Sequence, residues 1–119
     1  MSTSTIIVLA VIVLFFVWRM MPTKGVNQIT TSQLKEQLND RDKQFVDVRT
    51  PGEYRGNHIK QFQNIPLGDL RTKASKLSKD KEVVVICQSG MRSSKASKEL
   101  KQMGFQRVTN VKGGMSAWH

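Results

Sequence analysis

From Ile6 to Trp18 every residue is apolar (IIVLAVIVLFFVW), and no charge precedes Arg19. Beyond residue 22 the pattern changes to short apolar runs separated by amphipathic stretches. Thr30 with Gln33 three residues on has the spacing of a capping box, predicting a helix through Leu38 with Leu34 and Leu38 on one face. Phe45-Val46-Asp47-Val48 predicts a short strand, broken at Thr50-Pro51-Gly52, with one helical turn over Pro51 to Tyr54. Ile65-Pro66-Leu67 reads as a short extended piece, because the residue before proline avoids helix. A basic helix follows around Asp69 to Leu77. Glu82 to Ile86 is the most strand-like run and is expected to be central, buried on both faces. Ser93 to Met103 predicts a helix with Ala96, Leu100 and Met103 on one stripe and Gly104 at its carboxyl end. Val108 to Val111 gives another strand, after which Gly113-Gly114 turns into a last helical turn ending at Ala117-Trp118. Strands alternating with helices imply an α/β domain, with a parallel sheet covered by helices on both faces.

The first apolar segment sets the expected organisation. Taken as one helix from Met1 to Met21 it would span about 31 Å at 1.5 Å per residue, the length of a transmembrane anchor. A cleaved signal is the competing reading. It lacks a basic residue ahead of the apolar run and a small-x-small site behind it. Arg19 and Lys24 follow the segment, so the positive-inside bias leaves the rest of the chain in the cytoplasm and the protein in the cell membrane as a single-pass anchor. Trp18 and Arg19 suit the membrane interface. The expected division is an anchor over 1–22, a linker over 23–28 and one domain over 29–119.

Composition narrows the chemistry. A net charge of +10 over 119 residues raises the question of nucleic acid, and Lys95, Lys98 and Lys101 line one side of the last long helix. The aromatic residues are not interleaved with those lysines as a stacking platform, so no nucleic-acid partner is expected. A solvated basic face, drawn to anionic lipid or anionic substrates, is the simpler account. One cysteine and two histidines, His58 and His119, make a metal centre improbable and exclude a disulfide within the chain. No metal or other cofactor is expected.

That one cysteine occupies a telling position. Cys87 leaves the carboxyl end of the strand predicted to be central, and Gln88-Ser89-Gly90-Met91-Arg92 leads into the next helix. A thiolate there faces successive loop N–H groups and the positive end of a helix, both of which favour the anion. Arginine at a helix amino terminus opposes the helix dipole and so calls for an anion.

Four motifs in order and spacing resemble a single-domain rhodanese, a sulfurtransferase. They are Asp47-Val48-Arg49-Thr50-Pro51 with Glu53-Tyr54; His58-Ile59 followed by Asn64-Ile65-Pro66-Leu67; Cys87 through Ser93; and Gly113-Gly114-Met115-Ser116-Ala117-Trp118. The resemblance implies an α/β rhodanese-like domain around a five-stranded, mostly parallel sheet, with a persulfide carried on Cys87. It also implies a cradle for the outer sulfur made by the loop amides from Gln88, Ser89, Gly90 and Met91 to Arg92, with Arg92 as the anion-binding cation. Two departures stand out. Gln88 replaces an arginine common at that position, and Asn57 is inserted before His58. The residues themselves suggest structural support from Asp47, Arg49 and Glu53 as ion pair and turn, and from His58 as a hydrogen-bonded histidine.

Loop length separates competing reactions. Cysteine-based phosphatases place one residue more between cysteine and arginine than the four found here, and a tighter ring suits a sulfur atom better than a phosphoryl group. The expected activity is transfer of a sulfane sulfur from a small donor such as thiosulfate to a thiol or cyanide acceptor, with a protein acceptor also conceivable. The alternative is a membrane-tethered docking or sulfur-carrier module without strong turnover.

Overall fold

The computed structural model describes residues 2–20 and 25–119, with the side chains of 18–20 left aside. A first helix, α1, runs over Thr3–Met20. Then follow β1 (Val26–Ile29), α2 (Thr31–Gln37), β2 (Lys43–Asp47), α3 (Pro51–Gly56), β3 (Gln63–Asn64), α4 (Leu70–Lys73), β4 (Glu82–Ile86), α5 (Met91–Gln102) and β5 (Val108–Val111). Single 3₁₀ turns occupy Leu67–Asp69, Ala74–Lys76 and Gly114–Ala117.

The five strands form one sheet in the order β1-β5-β4-β2-β3, and every pairing is parallel. β4 lies at its centre, and Val83 to Ile86 have no solvent exposure. Alternation along β4 feeds two cores. Val83, Val85 and Cys87 join Ala96 and Leu100 of α5 and Leu70 of α4 on one face. Val84 and Ile86 join Leu34 of α2, Phe45 and Phe62 on the other. Each such side chain, fully buried, is worth about 1.5–3 kcal/mol of transfer free energy, which makes β4 the best-anchored strand. Helices therefore cover both faces, as expected.

Local signals explain the helix starts. Thr30 caps α2 and Gln33 returns the bond to the Thr30 amide, the reciprocal box predicted from the spacing. Thr50 and Glu53 form a second box that opens α3, which is longer than the single turn expected. The basic helix expected over Asp69 to Leu77 is instead a four-residue α-turn flanked by 3₁₀ turns.

Two boundaries differ from expectation. Part of the expected linker over 23–28 is strand β1, paired with β5 from Val26↔Val108 to Ile29↔Val111, while residues 23 and 24 lie outside the described residues. The transmembrane anchor over 1–22 also needs correction: among the described residues no helix is long and apolar enough to cross a membrane. The described apolar stretch of α1, Ile6 to Val17, covers only about 18 Å at 1.5 Å per residue, against roughly 30 Å of hydrocarbon. Its large side chains are 45–67% exposed. The interfacial roles expected of the Trp18 and Arg19 side chains lie outside the described residues.

Candidate active site

Parallel pairing sets the carboxyl ends of β2, β4 and β5 side by side, which is where α/β sheets expose their loops. Three of the four motifs are thereby brought together. Asp47 ends β2 and Arg49 follows it, Cys87 follows β4, and Gly113-Gly114 follows β5.

Cys87 is free and has no solvent exposure. Its Sγ accepts from the Gly90 amide at 2.9 Å and lies 3.3 Å from Ser93 Oγ. Burial pushes the thiol up. Hydrogen bonds from the Ser93 hydroxyl and amide and from the Gly90 and Ser89 amides more than offset it, and the thiol sits below its ordinary value. Ser93 Oγ also lies 3.1 Å from the Gly90 carbonyl oxygen. A hydroxyl has one proton, so Ser93 donates to that carbonyl while the thiol donates to Ser93. When the sulfur ionises, the Ser93 proton turns to it. Ser93, read from sequence only as a cap or substrate contact, is thus a direct partner of the sulfur.

The loop is held from behind by the last motif. Met115 and Ser116 donate their amides to the carbonyls of Cys87 and Gln88 at 2.8 and 2.9 Å. Gly114 has φ +55°, and a Cβ there would lie 2.2 Å from the Cys87 carbonyl oxygen. Only glycine lets the two backbones approach so closely. At the loop's far end Gly90, with φ +108°, is the cap residue ahead of α5.

Both arginines near the loop are already partnered. Arg49 is buried, donates from Nε and Nη2 to the Asp47 carboxylate, and reaches the Asn57 carbonyl at 2.6 Å. The inserted Asn57 thus contributes a backbone acceptor to the site's support. Nη1 of Arg49 donates to Gln88 Oε1 at 3.3 Å, and Gln88 Nε2 donates to Ser116 Oγ at 3.3 Å. Gln88, whose missing charge was the main departure, acts as a neutral clasp across three motifs.

Arg92 departs from expectation. Its guanidinium forms a fork with Glu53, Nη1 to Oε1 at 2.7 Å and Nη2 to Oε2 at 2.9 Å, so it does not stand in the loop as an unpaired anion-binding cation. The Arg92 guanidinium, with the Thr50 cap, holds the Glu53 carboxyl down at about 2 despite partial burial, so the pair is intact at neutral pH. Arg92 still acts on the sulfur at longer range, since the Cys87 anion is among the charges that raise the arginine's own value. His58 Nδ1 lies 2.8 Å from the Tyr54 carbonyl oxygen, and its ring stacks on Tyr54. Ser89 and Met91 face outward on the rim, Met91 at 81% exposure.

Such a site can hold an ionised sulfur among converging amides, with no acid–base partner touching it among the described residues. Residues 30–119 match the family model of the rhodanese-like domain, and the chain belongs to that family. Among its relatives, YtwF of Bacillus subtilis is 44% identical over 94 residues, covering 78% of this chain and 90% of that protein. A sulfurtransferase of Allochromatium vinosum is 38% identical, covering 78% of this chain and 88% of its own. The crystal structure of a rhodanese-related protein from Thermoplasma volcanium superposes with a TM-score of 0.69 at 35% identity, over 77% of this chain and 89% of that one.

Proposed function

We propose that the protein is a sulfurtransferase that carries a sulfane sulfur on Cys87. The observation that supports this most is the single sulfur at the focus of the Ser89, Gly90 and Ser93 donors, with its acidity raised in spite of full burial. In the first step the Cys87 thiolate attacks the outer sulfur of a donor. With thiosulfate the S–S bond breaks, sulfite leaves with the bonding pair, and Cys87 holds a persulfide anion. In the second step an acceptor thiolate or cyanide attacks that outer sulfur, and Cys87 leaves as thiolate. Negative charge moves between adjacent sulfurs throughout. Fixed amide dipoles and the Ser93 hydroxyl stabilise it without reorganisation. No general base is required once the thiol is acidified.

Intact-mass measurement after exposure to thiosulfate or inorganic polysulfide tests the proposal. The expected result is a gain of one sulfur, removed by cyanide or a small thiol. No adduct from any sulfane donor would overturn it and leave the docking module.

The place of action is a second proposal: the chain sits at the cell membrane with its domain in the cytoplasm. It is supported by the exposed apolar surface of α1, which suits the plane of a bilayer interface, and by the basic Arg19 and Lys24 that follow, which suit the anionic lipid of the cytoplasmic leaflet. A reporter fused behind His119 is then active only inside the cell and sediments with membranes. Activity outside, or a fully soluble fusion, counts against it.

A further inference from the structure

The rim of the loop has an uneven chemistry. The two guanidinium groups that contact the loop are committed to Asp47 and Glu53, and Gln88 is neutral and tied at both ends. A small dianion therefore meets no unpaired cation within the loop. What the rim does offer is Met91, the first residue of α5. Past Gly25 it is the only large apolar side chain that is exposed among the described residues. It follows Gly90, whose amide holds the sulfur. One exposed apolar side chain is ordinary. Its neighbours make this one informative.

Lys95 and Lys98 stand four and seven residues after Met91 and so share its face of the helix. Both are exposed. Among the described residues neither has an ion pair or hydrogen bond, whereas Lys101 donates to the Gln106 carbonyl. The helix's one acid, Glu99, is turned toward Arg71. The outward stripe thus runs from an unbranched, adaptable thioether to two free ammonium groups over about 10 Å of helix, with no acid between them.

We propose that this Met91–Lys95–Lys98 stripe is the docking surface for an acidic protein whose own cysteine exchanges sulfur with Cys87. The proposal rests on the sulfurtransferase reading and names its substrate class. Complementary charge speeds encounter and fixes orientation, and Met91 covers the partner's surface beside the reacting sulfur. When the partner delivers sulfur, the Cys87 thiolate attacks the outer sulfur of the partner's persulfide. The partner's S–S bond breaks, its cysteine leaves as thiolate, and the transferred sulfur carries its negative charge to Cys87 as the persulfide anion. Acceptance is the same exchange in reverse.

The full chain, loaded with sulfur from inorganic polysulfide, is offered two cysteine peptides of equal length. One carries glutamates and a leucine beside the cysteine, and the other carries lysines in the glutamate positions. The acidic peptide is expected to accept sulfur at least about tenfold faster at about 50 mM salt, with the gap closing near 0.5 M as the charges are screened. Lys95→Glu with Lys98→Glu removes the preference and leaves polysulfide loading unchanged. Met91→Ser slows transfer to the acidic peptide more than to the basic one. Equal rates for the two peptides, or a preference that survives the lysine reversals, overturns the proposal. So does a result in which the reversals abolish binding to phosphatidylserine vesicles but leave the peptide ratio intact, which would assign the stripe to lipid. Failure to load Cys87 at all is a separate outcome and sinks the sulfurtransferase reading itself.

Discussion

Replacing Cys87 by serine is expected to abolish sulfur transfer, by roughly a thousandfold or more, while leaving the fold standing. A serine hydroxyl is not ionised at neutral pH, and an oxygen in that place cannot form the S–S bond that stores the transferred atom. The cavity is nearly unchanged, so thermal unfolding should shift little. The same assay reads the role of Ser93. Ser93→Ala removes one of the bonds that hold the thiol below its ordinary value, so the pH at which alkylation or persulfide formation reaches half its limit moves upward. A pKa depressed in the folded state adds stability above the unfolded thiol's value, and this is lost as pH falls through the folded one. Cys87→Ser should therefore flatten the stability profile over that alkaline window. Persistent turnover in Cys87→Ser, or an unmoved pH profile in Ser93→Ala, would show that the chemistry lies elsewhere.

Gly114→Ala is the second large effect, and it comes from the backbone. The added Cβ would lie 2.2 Å from the Cys87 carbonyl oxygen and 2.9 Å from the carbonyl carbons of Cys87 and Gln88. All three atoms are main chain, so no side chain can swing aside. The left-handed conformation adds about 1 kcal/mol, and overpacking a closed site about 1–3 more. A loss of about 2–4 kcal/mol lowers the midpoint of thermal unfolding by more than about 10 °C in a domain of this size. The molecules that remain folded should also lose transfer activity, because the Met115 and Ser116 amides can no longer reach the loop carbonyls. Unchanged melting together with unchanged activity would mean that the two segments do not touch.

How much of this could be read from the chain depended on whether the signal was local. β4 was legible because four consecutive apolar residues have one sensible place, the centre of a sheet. The α2 start was legible because a capping box is complete within four residues. β1 was missed because Asn27 and Gln28 interrupt its pattern: it is an edge strand, held by β5 alone, and its ladder lies in the backbone. α5 begins two residues earlier than its apolar stripe suggested, because Met91 and Arg92 lie ahead of the first buried position. The loop motif singled out Cys87 and the amides after it; in the structure Ser89, Gly90 and Ser93 are the donors to the sulfur. It could not show that Arg92 faces Glu53, since the two are 39 residues apart and the charge on each was compatible with other partners. Nor could it show that Gly114 is defined by the carbonyl of the cysteine it backs.

Glu53 joins these two kinds of information in one atom. Its Oε1 takes the Thr50 amide, the Thr50 hydroxyl and the Arg92 guanidinium at 3.1, 3.0 and 2.7 Å. The punctuation that begins α3 is thus also a hinge-pin for the sulfur-bearing loop. The cap of a six-residue helix and the anchor of the arginine that ends the Cys87 loop therefore share one acceptor, so the loss of a single carboxylate would undo both at once.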